Sequence, residues 1–253
     1  MAASFVLRRR RLASAALREG VLVVGLYGAW CLIGSVTHAH LAGAEQRGRD
    51  LFALEHHLHL PSEVSVQQLV LPHPALAHLV NGYYLYGHLN TIGLLLAWTW
   101  WRHRDAYPAL RLQLVALTVV CMAVQLLAVA PPRLLPDLGF VDLAQTYGES
   151  VYGGYGTGLE AQLLAMPSLH VGWAALVAWT LWRCGSGPWR YLGVAHLVLM
   201  TLVVVASANH WWADGVIAVL LLAVVVATLD RLPRRASGSL VQASDPARVP
   251  ASA

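Results

Sequence analysis

Six apolar stretches dominate the sequence, and each is about long enough to cross a lipid bilayer. About 20 consecutive apolar residues span the hydrocarbon core. Hydrophobic residues make up 57% of the 253 residues and charged residues only 12%, too little charge to cover a soluble domain of this length. The sequence therefore predicts an all-α polytopic membrane protein, a bundle of six transmembrane helices. The expected spans are 19–40, 78–101, 112–130, 168–184, 190–208 and 211–229.

The positive charges indicate the orientation of the bundle. All basic residues are arginines, and they gather at the ends of apolar stretches, with Arg8–Arg11 before the first and further arginines after the last. Cytoplasmic loops of membrane proteins carry such an excess. An even number of spans then places a basic N-terminus (1–18) and a disordered tail (231–253) in the cytoplasm, on either side of a membrane domain (19–230). The charge is too small and dispersed for nucleic acid.

An alternative exists for the first apolar stretch. A basic run, an apolar segment and the small residues Ala42-Gly43-Ala44 together resemble a secretory signal peptide. The segment is long for such a peptide and contains Trp30, which favours a retained span. Cleavage would leave five spans without moving the other loops.

Two long segments fall on the outer side, 41–77 and 131–167, together with a tight turn near Asn209. The first carries apolar residues at helical spacing beside charged ones, which predicts a helix lying in the membrane interface. These residues are Leu51, Phe52, Leu54 and Leu58. The neighbouring Glu55-His56-His57-Leu58-His59 lacks a convincing set of four metal ligands, so a solvated interfacial segment is the better interpretation.

The first chemical motif is Ala165-Met166-Pro167-Ser168-Leu169-His170, where the second outer segment enters the fourth span. Proline is tolerated at a helix start, and Ser168 is a good cap for the helix that follows. The free backbone N–H groups at such a start form an anion site, and His170 in the first turn would face the same anion.

The second motif is Asn209-His210-Trp211-Trp212-Ala213-Asp214, at the start of the last span. His210 and Asp214 are four residues apart, so a helix places them on one face within reach of each other. A carboxylate bonded to one ring nitrogen makes the other a better nucleophile or base. Histidines and acids in membranes also simply pair across helices, but here two histidines, an acid and an anion site converge on one face of the bilayer.

Weaker candidates surround these motifs. His88 and Tyr84 in the second span are candidates for a headgroup pocket, although hydrogen bonding between helices explains them equally well. Asp142 is a candidate headgroup contact, against the default of a solvated loop acid, and so is Glu160. The glycine-rich loop from Tyr147 to Leu159 is a candidate for choosing an acceptor.

The two motifs together resemble the second and third signature motifs of the type-2 phosphatidic acid phosphatase superfamily. The wider strings AMPSLHVGW, ANHWWAD and APPRLLPDLGFVD are similar to its branch of inositol phosphorylceramide synthases and related bacterial membrane proteins. The resemblance covers roughly residues 20–230. It implies an integral protein of the bacterial plasma membrane with its active site on the outer side.

The resemblance also implies residue roles. His210 would be the nucleophile that forms a phosphohistidine, and Asp214 would orient and activate it. His170 would protonate the leaving group and then activate the incoming water or hydroxyl. Ser168 and neighbouring N–H groups, including that of Leu169, would hold the phosphoryl oxygens. Neither a metal nor another cofactor is expected, because cationic side chains and backbone donors stabilise the charge.

The sequence departs from the superfamily pattern in two places. The first motif is usually Lys-x6-Arg-Pro, and this chain has no lysine. Arg104 and Arg111 have the right separation but fall on the cytoplasmic side, so Arg133 is the better candidate for a phosphate clamp. The third motif normally begins Ser-Arg, where this chain has Val203 and Val204, so one phosphate-binding arginine is missing.

These observations predict a metal-independent lipid phosphate phosphatase or phosphotransferase. Its partners would be a lipid phosphate, membrane lipids and, for transfer, a polyol or sugar acceptor such as inositol. The missing cationic residues tilt the prediction towards transfer. A non-catalytic lipid-binding or transport protein is the alternative, although no inverted repeat is visible in the hydropathy. The sequence leaves the oligomeric state open.

Overall fold

The computed structural model describes residues 43–149 and 162–231, with scattered helical positions between residues 20 and 32. Several sequence predictions lie outside these residues: the basic N-terminus, most of the expected first span, nearly all of the glycine-rich loop, Glu160 and the C-terminal tail.

Every described element is helical, apart from one bridge pair between Val129 and Leu164. Short turns at Pro132–Leu134 and Pro136–Leu138 are of the 3₁₀ type, and Tyr83–Gly87 is a π-helical turn. The α-helices are α1 (Ala44–His57), α2 (Glu63–Val70), α3 (Pro74–Gly82), α4 (His88–Arg102), α5 (Tyr107–Gln125), α6 (Leu143–Thr146), α7 (Leu169–Cys184), α8 (Trp189–Ala206) and α9 (Trp212–Arg231).

Three helices, α5, α8 and α9, are long and apolar enough to cross a membrane, with 19, 18 and 20 residues. The all-α prediction is confirmed, whereas the number of six spans is not established by these helices. The expected span at 78–101 falls within a helical run from residue 74 to 102, formed by α3, the π turn and α4. The expected span at 168–184 corresponds to α7, which has 16 residues.

The helix of the expected third span ends five residues earlier than the predicted boundary at residue 130. After Gln125 the chain leaves the helix, and the Val129 N–H donates to the Leu163 carbonyl at 2.9 Å. The Gln125 amide also donates to the carbonyls of Leu164 and Pro167. Residues 128–130 are apolar although they follow the helix, because they are buried against the segment before α7. The predicted boundary therefore included loop residues in the span.

Helix α7 lies at the centre of the bundle and packs against α4, α5, α8 and α9. Its contact with α8 is close, because a Cβ atom on Gly193 would lie 2.8 Å from the Ala178 Cα. The largest core cluster joins residues of α4, α5, α7 and α9, including Leu117, Leu176 and Leu222. This packing brings the N-terminal ends of α7 and α9, which carry the two motifs, to the same end of the bundle.

The segment predicted as one interfacial helix forms a hairpin of two helices, α1 and α2. Leu51 and Phe52 pack into a cluster with the fully buried Trp211, whereas Leu54 and Leu58 are exposed. The α1–α2 hairpin therefore covers the start of α9 with one part of its predicted apolar face.

Candidate active site

His210 lies two residues before α9 and is in direct contact with Asp214 in the first turn of that helix. The Nδ1 atom of His210 lies 3.1 Å from the Oδ2 atom of Asp214, which also accepts a hydrogen bond from the Trp211 N–H at 3.0 Å. Both side chains are buried. Because Nδ1–H donates to the carboxylate, the lone pair of the His210 ring is on Nε2, the nitrogen that can act as a nucleophile.

Ser168 ties the start of α7 to the start of α9. Its Oγ atom accepts the Val171 N–H at 3.3 Å as a helix cap, and its own N–H donates to the Asp214 carbonyl at 3.2 Å. Ser168 is fully buried, so its side chain acts here as a cap rather than as an open phosphate ligand. Among the described residues, the N–H groups of Leu169 and His170 have no acceptor, which leaves them as anion donors.

The His170 ring lies between aromatic rings and faces His210. Its centroid is 4.3 Å from that of Tyr84 in a stacked arrangement and 4.1 Å from that of His88, edge to face. The His170 and His210 centroids are 5.6 Å apart. The two motif histidines therefore meet in one site, as their predicted positions require.

A π-helical turn places Tyr84 and His88 against His170. The turn covers Tyr83–Gly87, and the His88 Nδ1–H donates to the Tyr84 carbonyl at 3.1 Å. A Cβ atom on Gly87 would lie 3.1 Å from the Tyr83 ring, so a larger residue would crowd this turn. Single π turns within helices occur frequently at functional sites. Tyr84 and His88, predicted as headgroup contacts, thus touch a motif histidine directly.

Arg133 lies beside the second motif and is buried among hydrogen-bond acceptors. Its Nε atom donates to the Asn209 Oδ1 at 3.0 Å, next in the chain to His210. Its Nη1 atom donates to Asp142 Oδ2 at 3.1 Å and to Gln162 Oε1 at 2.9 Å. Asp142 also caps α6 through the Gln145 N–H. Arg133, the predicted phosphate clamp, and Asp142, the predicted headgroup contact, therefore form an ion pair with each other.

The competing arginine pair lies at the other end of the bundle. Arg104 and Arg111 flank Asp105, which shares a cavity of about 470 Å³ with Arg183 and Asp230 at the C-terminal ends of α7 and α9. The motif histidines stand at the N-terminal ends of those helices. This placement agrees with the choice of Arg133 over the Arg104–Arg111 pair.

Glu55 is a site residue that the sequence did not predict, because it lies in a stretch interpreted as a solvated segment. Glu55 is 2% exposed, and its Oε1 atom accepts the Ala213 N–H at 2.6 Å, within the second motif. Burial, followed by the neighbouring carboxyl group of Glu63, raises the pKa of Glu55 to about 9. The neighbouring histidines at positions 56, 57 and 59 are exposed, as predicted. No signal of helical spacing marks Glu55, because its partner is 158 positions away.

The family assignment follows from the extent of the sequence match. The sequence model of the PAP2 superfamily matches residues 49–228, which include both motifs and all the site residues described above. The chain belongs to the PAP2 superfamily. No curated protein and no solved structure matches it.

Membership in the PAP2 superfamily has two consequences. It supports a phosphatase-type enzyme that acts on phosphate-bearing substrates. Together with the three apolar helices, it indicates an integral membrane protein.

Proposed function

We propose that this PAP2 protein is a lipid phosphate phosphatase or phosphotransferase that works through a phosphohistidine on His210. The observation that carries the proposal is the hydrogen bond between His210 and the buried Asp214, with His170 facing the same ring. A nucleophile oriented by a carboxylate and opposed by a second histidine is the arrangement that double displacement at phosphorus needs.

In the first step, the Nε2 lone pair of His210 attacks the phosphorus of the lipid phosphate. The P–N bond forms while the bond from phosphorus to the lipid oxygen breaks. His170 donates its proton to that leaving oxygen, so a neutral alcohol departs. Asp214 stabilises the positive charge that develops on the His210 ring, because its carboxylate accepts the Nδ1–H.

In the second step, a water or an acceptor hydroxyl attacks the phosphorus from the leaving-group side. His170, now neutral, removes the proton of the incoming oxygen, and the P–N bond breaks. The electron pair returns to His210 Nε2, and both histidines regain their starting states. Water yields inorganic phosphate, whereas a hydroxyl yields a new phosphoester.

The phosphoryl oxygens have two sources of positive potential. The N–H groups of Leu169 and His170 point from the start of α7, where the helix dipole favours an anion. Arg133, through its contact with Asn209, is the arginine that adjoins the second motif. These donors stabilise the transition state without requiring a metal or a cofactor.

The acceptor is proposed to be a polyol or sugar, with inositol as the first compound to test. Val203 and Val204 occupy the positions of the usual Ser-Arg pair and are buried in the core, so no charge reaches the phosphate from there. This apolar substitution, with the resemblance to inositol phosphorylceramide synthases, supports transfer over simple hydrolysis.

The proposal places the enzyme in a bacterial plasma membrane as a bundle of six spans. The termini would lie in the cytoplasm and the site on the outer side. The arginines at the end of the bundle opposite the histidines support this orientation, because cytoplasmic ends carry such charge. The enzyme would then meet its lipid phosphate in the outer leaflet.

The test is product analysis on the detergent-solubilised protein with EDTA and a panel of lipid phosphates, with and without inositol. We expect turnover that survives EDTA and falls by roughly 10³-fold or more in His210→Ala. His103→Ala, at the far end of α4, is the matched control and should retain activity. Labelled inositol phosphate identifies transfer, whereas free phosphate as the only product identifies hydrolysis.

Two results would overturn the proposal. Turnover that His210→Ala leaves unchanged removes the phosphohistidine. Lipid binding without turnover of any donor, with and without polyol acceptors, would favour the non-catalytic lipid-binding or transport alternative.

A further inference from the structure

Two buried carboxyl groups meet behind the second motif. Glu55 of α1 and Glu63 of α2 are each 2% exposed, and the Glu63 carboxyl lies close enough to raise the pKa of Glu55. Glu55 Oε2 and Glu63 Oε1 have no conventional donor among the described residues. Two carboxyl groups can form a hydrogen bond only when one of them carries a proton, since ionised carboxylates are acceptors alone. A single proton shared between the two carboxyl groups would give both atoms a partner.

The pair is attached to the first turn of α9 from outside the helix. Glu55 Oε1 accepts the Ala213 N–H at 2.6 Å, and the Trp212 indole N–H donates to the Pro61 carbonyl at 2.7 Å, in the loop between α1 and α2. Both donors lie between His210 and Asp214 in the chain. The α1–α2 hairpin therefore holds the turn that carries the nucleophile.

We propose that Glu55 and Glu63 share one proton and act together as a positioning pair for His210 and Asp214. Glu55 accepts from the turn, and Glu63 accepts the shared proton and orients Glu55. The effect on catalysis rests on the function proposed above, whereas the shared proton does not.

Electrostatics explain why the pair must keep its proton. The charged groups that act on Glu55 are Glu63 from α2 and Asp214 from α9, and both are acidic. Complete ionisation would place two negative charges in contact beside the Asp214 carboxylate. Their repulsion would break the hydrogen bond within the pair and loosen the hairpin from α9. Since burial raises the pKa of Glu55 to about 9, we expect the proton and the attachment to α9 to be lost at alkaline pH.

The shared proton is tested by infrared spectroscopy of the full-length protein in detergent, without substrate. We expect a protonated-carboxyl band at pH 7 that disappears as the pH rises through about 9. The band should be missing from the Glu55→Gln/Glu63→Gln double variant. A wild-type protein without the band, or a band unchanged in the double variant, overturns the proposal whether or not any lipid phosphate is turned over.

Stability gives a second reading that is independent of activity. The folded-state pKa of Glu55 lies above its ordinary value of 4.5, so the folded state binds a proton that the unfolded state has lost. The contribution of this group to stability is therefore complete below about pH 4.5 and declines as the pH rises towards about 9. Glu55→Gln should remove this decline in thermal unfolding, and a decline identical to wild type contradicts the assignment.

The positioning role is tested by kinetics. Glu55→Ala removes the acceptor of the Ala213 N–H, and we expect kcat to fall about tenfold with little change in KM. Glu55→Gln keeps an acceptor for Ala213 and a donor for Glu63, so it should stay within about threefold of wild type. Its activity should also persist at higher pH, because the amide does not titrate.

The matched controls are Glu45→Ala and Glu45→Gln, at an exposed acid on the same helix. Both should follow the wild-type pH profile. A Glu55→Ala variant with the wild-type kcat and alkaline limb overturns the positioning role. If Glu55→Ala does not fold, Glu55→Gln and Glu63→Gln provide the test. The positioning role is overturned if neither variant shifts the alkaline limb of the pH–activity profile.

Discussion

The two motif helices begin at the same end of the bundle with a histidine at each start, yet they hold those histidines differently. His210 is fixed by hydrogen bonds: Asp214 accepts from its ring, and Glu55 accepts from the turn between them. His170 is held by rings, stacked on Tyr84 and against the edge of His88. Among the described residues, no carboxylate forms an ion pair with His170.

This difference fits two different chemical tasks. A nucleophile needs one nitrogen deprotonated at all times, and a carboxylate on the opposite nitrogen fixes that tautomer. A general acid that later becomes a base must lose and regain its proton in each cycle, so a permanent ionic partner would favour one of its two states. Stacked rings fix the plane of His170 without fixing its charge.

The largest expected effect comes from removing the charge of Asp214. Asp214→Asn can present an amide N–H to His210 Nδ1, which would move the ring proton to Nε2 and block attack on phosphorus. We expect kcat to fall roughly 10³-fold with a small change in KM, since the geometry remains. The measurement is steady-state hydrolysis of a lipid phosphate.

Asp230→Asn on the same helix is the control for Asp214→Asn, because Asp230 is exposed at the other end of α9. An Asp214→Asn enzyme with wild-type kcat would show that the hydrogen bond between His210 and the Asp214 carboxylate does not contribute to catalysis.

The next largest effect is expected for Arg133, which donates a hydrogen bond to Asn209, the residue before His210. Arg133→Lys keeps the charge but loses the planar fork that reaches Asn209, Asp142 and Gln162. We expect KM and the inhibition constant for inorganic phosphate to rise about tenfold if the fork also binds the phosphoryl group. The measurement is phosphate inhibition beside thermal unfolding.

Asp142→Asn separates the two roles of Arg133, because it weakens the ion pair but leaves the guanidinium in place. A lower melting temperature in Arg133→Lys with unchanged phosphate inhibition would restrict Arg133 to anchoring Asn209.

The contacts within each motif could be predicted from the sequence, because they are local. The spacing of His210 and Asp214 predicts their hydrogen bond, although His210 precedes α9 and does not share a helix face with Asp214. Ser168 caps α7 as its position predicts. The choice of Arg133 rested on placing the helix ends, and the structure brings it to Asn209.

Contacts between distant segments could not be predicted in the same way. Glu55 lies in a polar stretch rich in histidines, and only the tertiary fold shows that it turns inward to Ala213. The π turn at Tyr83–Gly87 has no strong sequence pattern, since its residues are compatible with an ordinary helix. The predicted end of the third span at residue 130 was wrong because apolar residues at 126–130 are compatible with a buried loop as well as with a membrane span.

The smallest expected effect tests the rings that hold His170. Tyr84→Leu removes the stacked ring, and we expect activity to fall about fivefold on a lipid phosphate, within the range for one aromatic contact. The loss should shrink for p-nitrophenyl phosphate, whose leaving group needs no proton from His170. Tyr84→Phe should restore activity, because it keeps the ring.

Tyr86→Leu is the control for Tyr84→Leu, at an exposed tyrosine in the same π turn. An equal loss for both substrates would mean that Tyr84 supports folding or binding rather than the orientation of the acid.

We infer that His210 carries the phosphoryl group while His170 moves protons. The most direct measurement is pre-steady-state release of p-nitrophenolate by His170→Asn, with labelled p-nitrophenyl phosphate. We expect a burst of about one product per enzyme, because the first step then needs no acid and the second lacks its base. The trapped label should map to His210. Linear release without label on the protein, or label on another residue, would contradict these roles of His210 and His170.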